Sequence, residues 1–223
     1  MQPDRPWNNA QHKGDTLIGG APTIAVLDYG MGNLHSVSRA IETVGGSATV
    51  TAERREVADA DALVIPGVGA FGAGVRALAE RGLDGAIRDF VGSGRPVFAV
   101  CLGMQVLFKE SDEDPEEGLS IVAGRSRKLP PDVKVPHMGW NTVEWSGTHP
   151  YVDGIPDGTR FYFVHSYAPD VIEGTTVGVT EHGRLFSSVV AKDNVFATQF
   201  HPEKSADAGL QIYSSFVKAV AGR

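Results

Sequence analysis

Cysteine is almost missing from this sequence: Cys101 stands alone among 223 residues. A lone thiol forms no internal disulfide, which leaves nucleophilic chemistry or plain packing as its roles. Long apolar runs are missing too. No stretch is long enough to cross a bilayer, and the first residues, MQPDRPWNNAQHKGDTLIGG, lack the apolar core of a secretory signal, so a cytoplasmic location is expected. Nor is there any concentrated block of Lys and Arg. With a net charge of −7, neither nucleic acid nor an anionic membrane surface is expected as the main partner. What the chain does have is apolar bulk: 42% hydrophobic content supports a well-buried core, by default in one domain.

Residues 1–21 are polar and show neither helical nor strand period, so they read as a mobile extension, with the folded domain over 22–223. From there short apolar strands alternate with helical stripes. TIAVLDYG precedes a stripe of Leu34, Val37, Ile41 and Val44; ATVTA and ALVIPG are further strands; residues 71–92 read as helix interrupted near Gly82; RPVFAVCL is a fourth strand. This order predicts an α/β three-layer sandwich with a mostly parallel central sheet flanked by helices. After about residue 120 the texture changes to half-alternating segments, TVEW, TRFYFVHSY, TVGVTEHGRLFSSVV and VFATQFHPE, which read as antiparallel strands before a final helix near 205–220. The acidic run SDEDPEEG, residues 111–118, lacks calcium-loop spacing and reads as a solvated loop, and no metal site is expected.

The cysteine sits where chemistry is easiest. In FAVCLGMQVLF an apolar strand runs into Cys101 and a helical pattern starts at once, the layout of a nucleophile elbow. That turn lifts the side chain to the carboxyl ends of the strands, and it aims first-turn N–H groups at the sulfur, which favours an anion and can also bind an oxyanion. A small buried hydrophobe is the ordinary alternative for a free cysteine. A thiol nucleophile needs a base with an orienting group. His201 ends an apolar strand in FATQFHPEKS, and Glu203, two residues on, points to the same side if the segment is extended. The glycine run Gly67 to Gly72 matches G-x-G-x-x-G, but it does not follow the first strand, and Asp89, at the right distance for a ribose contact, falls in a helix. A backbone brought close to a reacting oxygen explains the same glycines, and no cofactor is expected.

These motifs together resemble the class I glutamine amidotransferases, and within them the glutaminase subunits of imidazole glycerol phosphate synthase in histidine biosynthesis. VCLGMQ is similar to the family's elbow and FHPEKS to its His-x-Glu segment; PGVGAFG, PHMGWN and YFVHSY resemble the histidine-pathway branch, and the match runs from about 23 to 220. The resemblance implies that Cys101 attacks the glutamine carboxamide, that His201 is the general base and acid, and that Glu203 orients it. It implies an oxyanion hole from the backbone of Gly67, Val68 and Gly69 with the Leu102 N–H, and L-glutamine contacts at Gln105, Ser166 and Tyr167. It further implies a heterodimer with a TIM-barrel cyclase subunit that receives the ammonia, docked over Asn33, Met138, Trp140 and Lys204. Those four also have plainer readings: helix cap for Asn33, core for Met138 and Trp140, solvated charge for Lys204. One departure stands out. Ala99 occupies a position where the family usually has glycine, and a left-handed backbone there would strain its methyl group. Two other functions stay open: the same glutaminase chemistry serving a different synthase, and a non-catalytic regulatory subunit on the same fold.

Overall fold

The computed structural model describes residues 21–223; the expected N-terminal extension lies outside the described residues but for its last position. The first half alternates as expected: β1 (Thr23–Leu27), α1 (Leu34–Thr43), β2 (Ser47–Thr51), α2 (Arg54–Asp59), β3 (Ala62–Ile65), α3 (Phe71–Glu80), α4 (Leu83–Gly92), β4 (Val97–Val100) and α5 (Leu102–Gln105). Gly82, at φ +64°, breaks the helical stretch into α3 and α4 at the expected place. The short α2, RREVAD, buries only Val57, too little apolar period to announce itself in the sequence.

The second half is strand-rich: β5 (Glu110–Ser111), β6 (Arg125–Lys128), β7 (His137–Trp145), β8 (Thr159–His165), β9 (Tyr167–Pro169), β10 (Thr176–Glu181), β11 (Leu185–Lys192), β12 (Val195–Thr198), a 3-10 turn over Pro202–Lys204, and α6 (Ala206–Ala221). Nine strands join in one sheet in the order β2-β1-β3-β4-β12-β11-β10-β7-β8, and β5, β6 and β9 form a small second sheet. The run β2-β1-β3-β4-β12 is parallel. From β12 outward through β11, β10, β7 and β8 the pairing is antiparallel. The expectation that the late strands are antiparallel therefore needs one correction: β12 returns to the middle and runs parallel to β4, with Thr198 beside Val100. That register brings the carboxyl ends of β4 and β12 together, and with them Cys101 and the segment leading to His201.

The strands read as continuous apolar runs because both faces are covered. One face packs Val26, Val64, Phe98 and Phe196 under α1 and α6, where Tyr213 and Phe216 meet Phe98. The other packs Leu27, Ile65, Val97 and Ala197 under α3, α4 and α5. Such two-sided burial removes the period-two signal and leaves strands like VFAV and ALVI.

Candidate active site

Cys101 occupies the turn between β4 and α5 with φ +53° and ψ −109°, a conformation an L-residue holds only when its surroundings enforce it. The enforcement is visible. Its N–H donates to the Thr198 carbonyl at 2.8 Å, and the helix that follows is pressed onto β3 so tightly that a Cβ at Gly103 would overlap the Ile65 carbonyl oxygen. Strain therefore sits on the cysteine itself. Ala99 lies inside β4, paired with Ile65 and Ala197, outside the left-handed region, and its methyl group costs nothing there. The helix is shorter than the pattern suggests, with α5 ending at Gln105. One turn this short offers the sulfur no long helix dipole.

His201 follows β12 and is almost wholly buried. Its N–H donates to the Tyr162 carbonyl of β8 at 2.9 Å, and the Ser205 hydroxyl bonds the His201 carbonyl at 2.6 Å while accepting from the Tyr162 N–H at 3.0 Å, which stitches the turn to β8. Nδ1 pairs with Oε1 of Glu203 at 2.7 Å. The two do not lie along an extended strand: Glu203 sits in the 3-10 turn Pro202–Lys204 and faces the imidazole rather than pointing alongside it. Nε2 makes no ordinary hydrogen bond, and the Cys101 sulfur is the group it answers to. Burial lowers the proton affinity of this ring, but the charge and hydrogen bonding of Cys101 and the Glu203 carboxylate outweigh it and lift the pKa to about 10.

A cavity of about 420 Å³ opens above the sulfur, lined by Val68, Gly69, Cys101, Leu102, Gln105, Ser166, Tyr167 and Lys204 among others, a size suited to a small molecule. Gln105 is buried and donates to the Tyr167 carbonyl at 2.9 Å. The two segments expected to form an oxyanion hole face each other. The Gly67 carbonyl accepts the Leu102 N–H at 3.4 Å, so that donor is turned away from the cavity. Gly67 is wedged between the Tyr29 hydroxyl, the Gly103 nitrogen and the Leu102 side chain, and no Cβ fits there; Gly69 takes φ +115°.

Glu113 is a site residue that the sequence reading missed. It lines the cavity, and its carboxylate accepts the Phe71 N–H at 2.8 Å, filling the start of α3 that a phosphate-binding reading would have left for a ligand. The acidic run is therefore not simply solvated. With Asp112 it makes that end of the cavity negative enough to hold the Tyr167 hydroxyl in its protonated form, after burial. Two buried histidines were also missed. Asn141 donates to His137 at 3.2 Å, His137 to His165 at 3.0 Å, and His165 to the Tyr167 carbonyl at 2.9 Å, a chain that fixes both tautomers. Burial and the neighbouring His182 bring His137 down to about 4, and burial and His137 keep His165 well below the usual histidine range. These residues lay in PHMGWN and YFVHSY, where a histidine inside an apolar strand was the available signal. Among the described residues, no group of three or more His, Cys, Asp or Glu is placed to hold a metal ion, and no helix is long and apolar enough to cross a membrane.

Of the four expected docking residues, Met138 and Trp140 are 60% and 46% exposed on β7 rather than core. The Trp140 ring meets Tyr162 edge to face, and the Lys204 ammonium lies 5.9 Å from the same Tyr162 ring. Asn33 stands at the start of α1 without capping it through its side chain.

A family model described as Glutamine amidotransferase class-I matches residues 25–219. The chain is 46% identical over 202 residues to the imidazole glycerol phosphate synthase subunit HisH of Symbiobacterium thermophilum, covering 88% of this chain and 94% of that one. It is 45% identical over 201 residues to the subunit of the same name from Dehalococcoides mccartyi, covering 89% and 98%. Among solved structures, PurLQS from Thermotoga maritima superposes with a TM-score of 0.72 at 16% identity, over 89% of this chain and 99% of that one. The glutaminase domain of Trypanosoma brucei CTPS with bound acivicin does so with 0.66 at 19%, over 91% and 95%; at these identities the likeness concerns the fold.

Proposed function

The chain belongs to the class I glutamine amidotransferases and, within them, to the glutaminase subunits of imidazole glycerol phosphate synthase in histidine biosynthesis; from that premise we propose that it hydrolyses L-glutamine through Cys101, His201 and Glu203 and delivers the ammonia to a TIM-barrel cyclase subunit. The observation that carries this reading is the union, across neighbouring parallel strands, of a strained cysteine and a buried imidazole already bonded to a carboxylate.

The chemistry runs as follows. The Cys101 thiolate attacks the carboxamide carbon, and the carbonyl electrons move onto oxygen. When that oxyanion collapses, the C–N bond breaks and the His201 imidazolium gives its proton to the departing nitrogen, leaving a thioester and neutral ammonia. Water then attacks the thioester, neutral His201 takes its proton, and glutamate leaves as the sulfur regains its negative charge. Glu203 holds the imidazole in the tautomer both steps need. Gln105, Ser166 and Tyr167 frame the substrate, with Glu113 facing its α-ammonium group. The oxyanion needs the Leu102 N–H, which the Gly67 carbonyl now holds, so the peptide between Gly67 and Val68 must turn before the hole is complete. Ammonia released into water at neutral pH becomes ammonium and stops being a nucleophile. A partner covering the rim at Asn33, Met138, Trp140 and Lys204 keeps it dry.

The test is glutamine hydrolysis by the chain alone, with the cyclase subunit, and with the cyclase plus its nucleotide ligand. Strong stimulation by the loaded cyclase is expected, and Cys101→Ser should lower the rate by about five orders of magnitude. A Cys101→Ser protein that hydrolyses glutamine normally in the complex would sink the reading and favour a non-catalytic subunit.

A further inference from the structure

Gln199 follows β12 and has no exposed surface. A primary amide buried beyond the reach of water is costly unless both its ends are bonded. Its backbone is fixed from both sides: the Gln199 N–H donates to the Ser188 carbonyl of β11 at 2.9 Å, and the preceding Thr198 carbonyl accepts the Cys101 N–H at 2.8 Å. Its amide ends are fixed as well, and the fixing sets their direction. Gln105 Nε2 donates to the Tyr167 carbonyl at 2.9 Å, so a nitrogen stands at that corner. The same nitrogen donates to Gln199 Oε1 at 3.0 Å. Gln199 Nε2 is thereby turned to the remaining partner, the Cys101 sulfur, 3.6 Å away. The sulfur also lies 3.9 Å from the Val164 carbonyl, an acceptor that suits a thiol, whereas an amide donor suits a thiolate.

We propose that Gln199 is a hydrogen-bond donor to the nucleophile, holding the sulfur as an anion in its attacking position and tying it through Gln105 to the backbone of the glutamine-binding segment at Tyr167. The proposal rests on Cys101 being the nucleophile and adds a residue to its immediate surroundings. It also gives Gln105 a second task, because the orientation of the Gln199 amide depends on it. The titratable groups that act on the sulfur from the surrounding elements are His201, after β12, and Tyr29, from the β1–α1 loop. Gln199 carries no charge of its own, so its influence should alter the protonation of the cysteine–histidine pair without adding a titration.

The test uses the chain assembled with the cyclase subunit and its nucleotide ligand. Gln199→Met keeps shape and removes the donor; Gln199→Glu keeps shape and puts an acceptor against the sulfur. Glutaminase kcat and KM are measured from pH 5.5 to 10, with thermal melting as the check on folding. Loss of one charge-assisted donor should lower kcat for Gln199→Met by about 10- to 100-fold, with KM changed less than about threefold and the acid limb of the profile moved up by about one pH unit. Gln199→Glu should lower kcat further. A Gln199→Met enzyme with normal kcat and an unmoved acid limb overturns the proposal, as does a kcat loss with the limb in place, which marks a purely structural role. An effect confined to KM overturns it too, placing Gln199 in substrate binding. If Gln199→Met fails to fold, Gln199→Glu decides: an unmoved acid limb in that variant is fatal. Cys101→Ala is the control that separates the two readings. If it retains activity, the proposed function itself falls; if it is inactive while the Gln199 variants behave normally, only this inference falls.

Discussion

His201 carries a proton where an ordinary histidine would have lost it, and the cause is a neighbour rather than solvent. Burial works against the charge; Cys101 is the largest influence working for it, followed by Glu203, and the result is about 10. Two outcomes follow. In Cys101→Ala the main raising influence is gone, so the imidazole pKa, read by NMR titration of the ring protons, should fall below its value in the unaltered chain; an unchanged titration would show that the sulfur is not responsible. The basic limb of the activity profile should lie near pH 10 rather than 6.5, because in the proposed mechanism release of ammonia needs the imidazolium. Glu203→Gln should lower kcat/KM by about 10²- to 10⁴-fold by weakening the tautomer constraint. At this scale the sequence pointed most directly to Cys101, His201 and Glu203, since a lone cysteine after an apolar strand and a His-Pro-Glu step after another are local patterns. Glu113, Gln199 and the His137–His165 pair escaped because their meaning depends on contacts with distant segments. The orientation of the Gly67 peptide has no side chain to announce it.

At the level of elements, the turn carrying His201 and Glu203 is held by what packs behind it. Gly209 in α6 lies so close to the Pro202–Lys204 turn that an added Cβ would overlap the Pro202 carbonyl oxygen and sit 2.7 Å from its carbon. Gly209→Ala should therefore cost about 1–3 kcal/mol of stability, read from the urea midpoint, and lower kcat by displacing His201 and Glu203. A variant as stable and active as the parent would mean that α6 does not set the turn. The paired strands β7 and β8 carry a different sensitivity. His137 and His165 are neutral in the fold, with proton affinities below the ordinary value of 6.5, so the unfolded chain binds more protons than the folded one between about pH 6.5 and 4. Stability is full above that window and is lost as pH falls through it. Urea midpoints at pH 7.5 and 5.0 should show the loss, and His137→Gln, whose amide still donates to His165, should show a smaller one. Helices α1, α3, α4 and α6 were legible because each has a periodic apolar stripe. Strand β7 was read only from Thr142, because its first half turns His137, Gly139 and Asn141 inward and the apolar Met138 and Trp140 outward, the reverse of the usual polarity.

For the molecule as a whole, Val68 and Lys204 line the candidate cavity, exposed Met138 pairs across β7 and β8 with Val164 of its wall, and exposed Trp140 shares the Tyr162 ring with Lys204. If these residues seat the cyclase, Trp140→Ala and Met138→Asp should each raise the Kd of the complex about tenfold or more, as central aromatic and apolar anchors do; calorimetric titration with normal affinity would move the interface elsewhere. The α/β class and the layering could be read from the alternation of strands and helices. The return of β12 to the middle of the sheet could not, since nothing in VFAT distinguishes a parallel neighbour from an antiparallel one. The closed Leu102 to Gly67 hydrogen bond carries one last implication. A protein that waits in an idle form can be accelerated only by as much as it idles: no ligand can multiply the turnover beyond the reciprocal of the share of molecules already in the working form. On the proposed mechanism, the leak of the isolated subunit, divided into its fully engaged rate, reads how firmly one peptide plane keeps the engine in neutral.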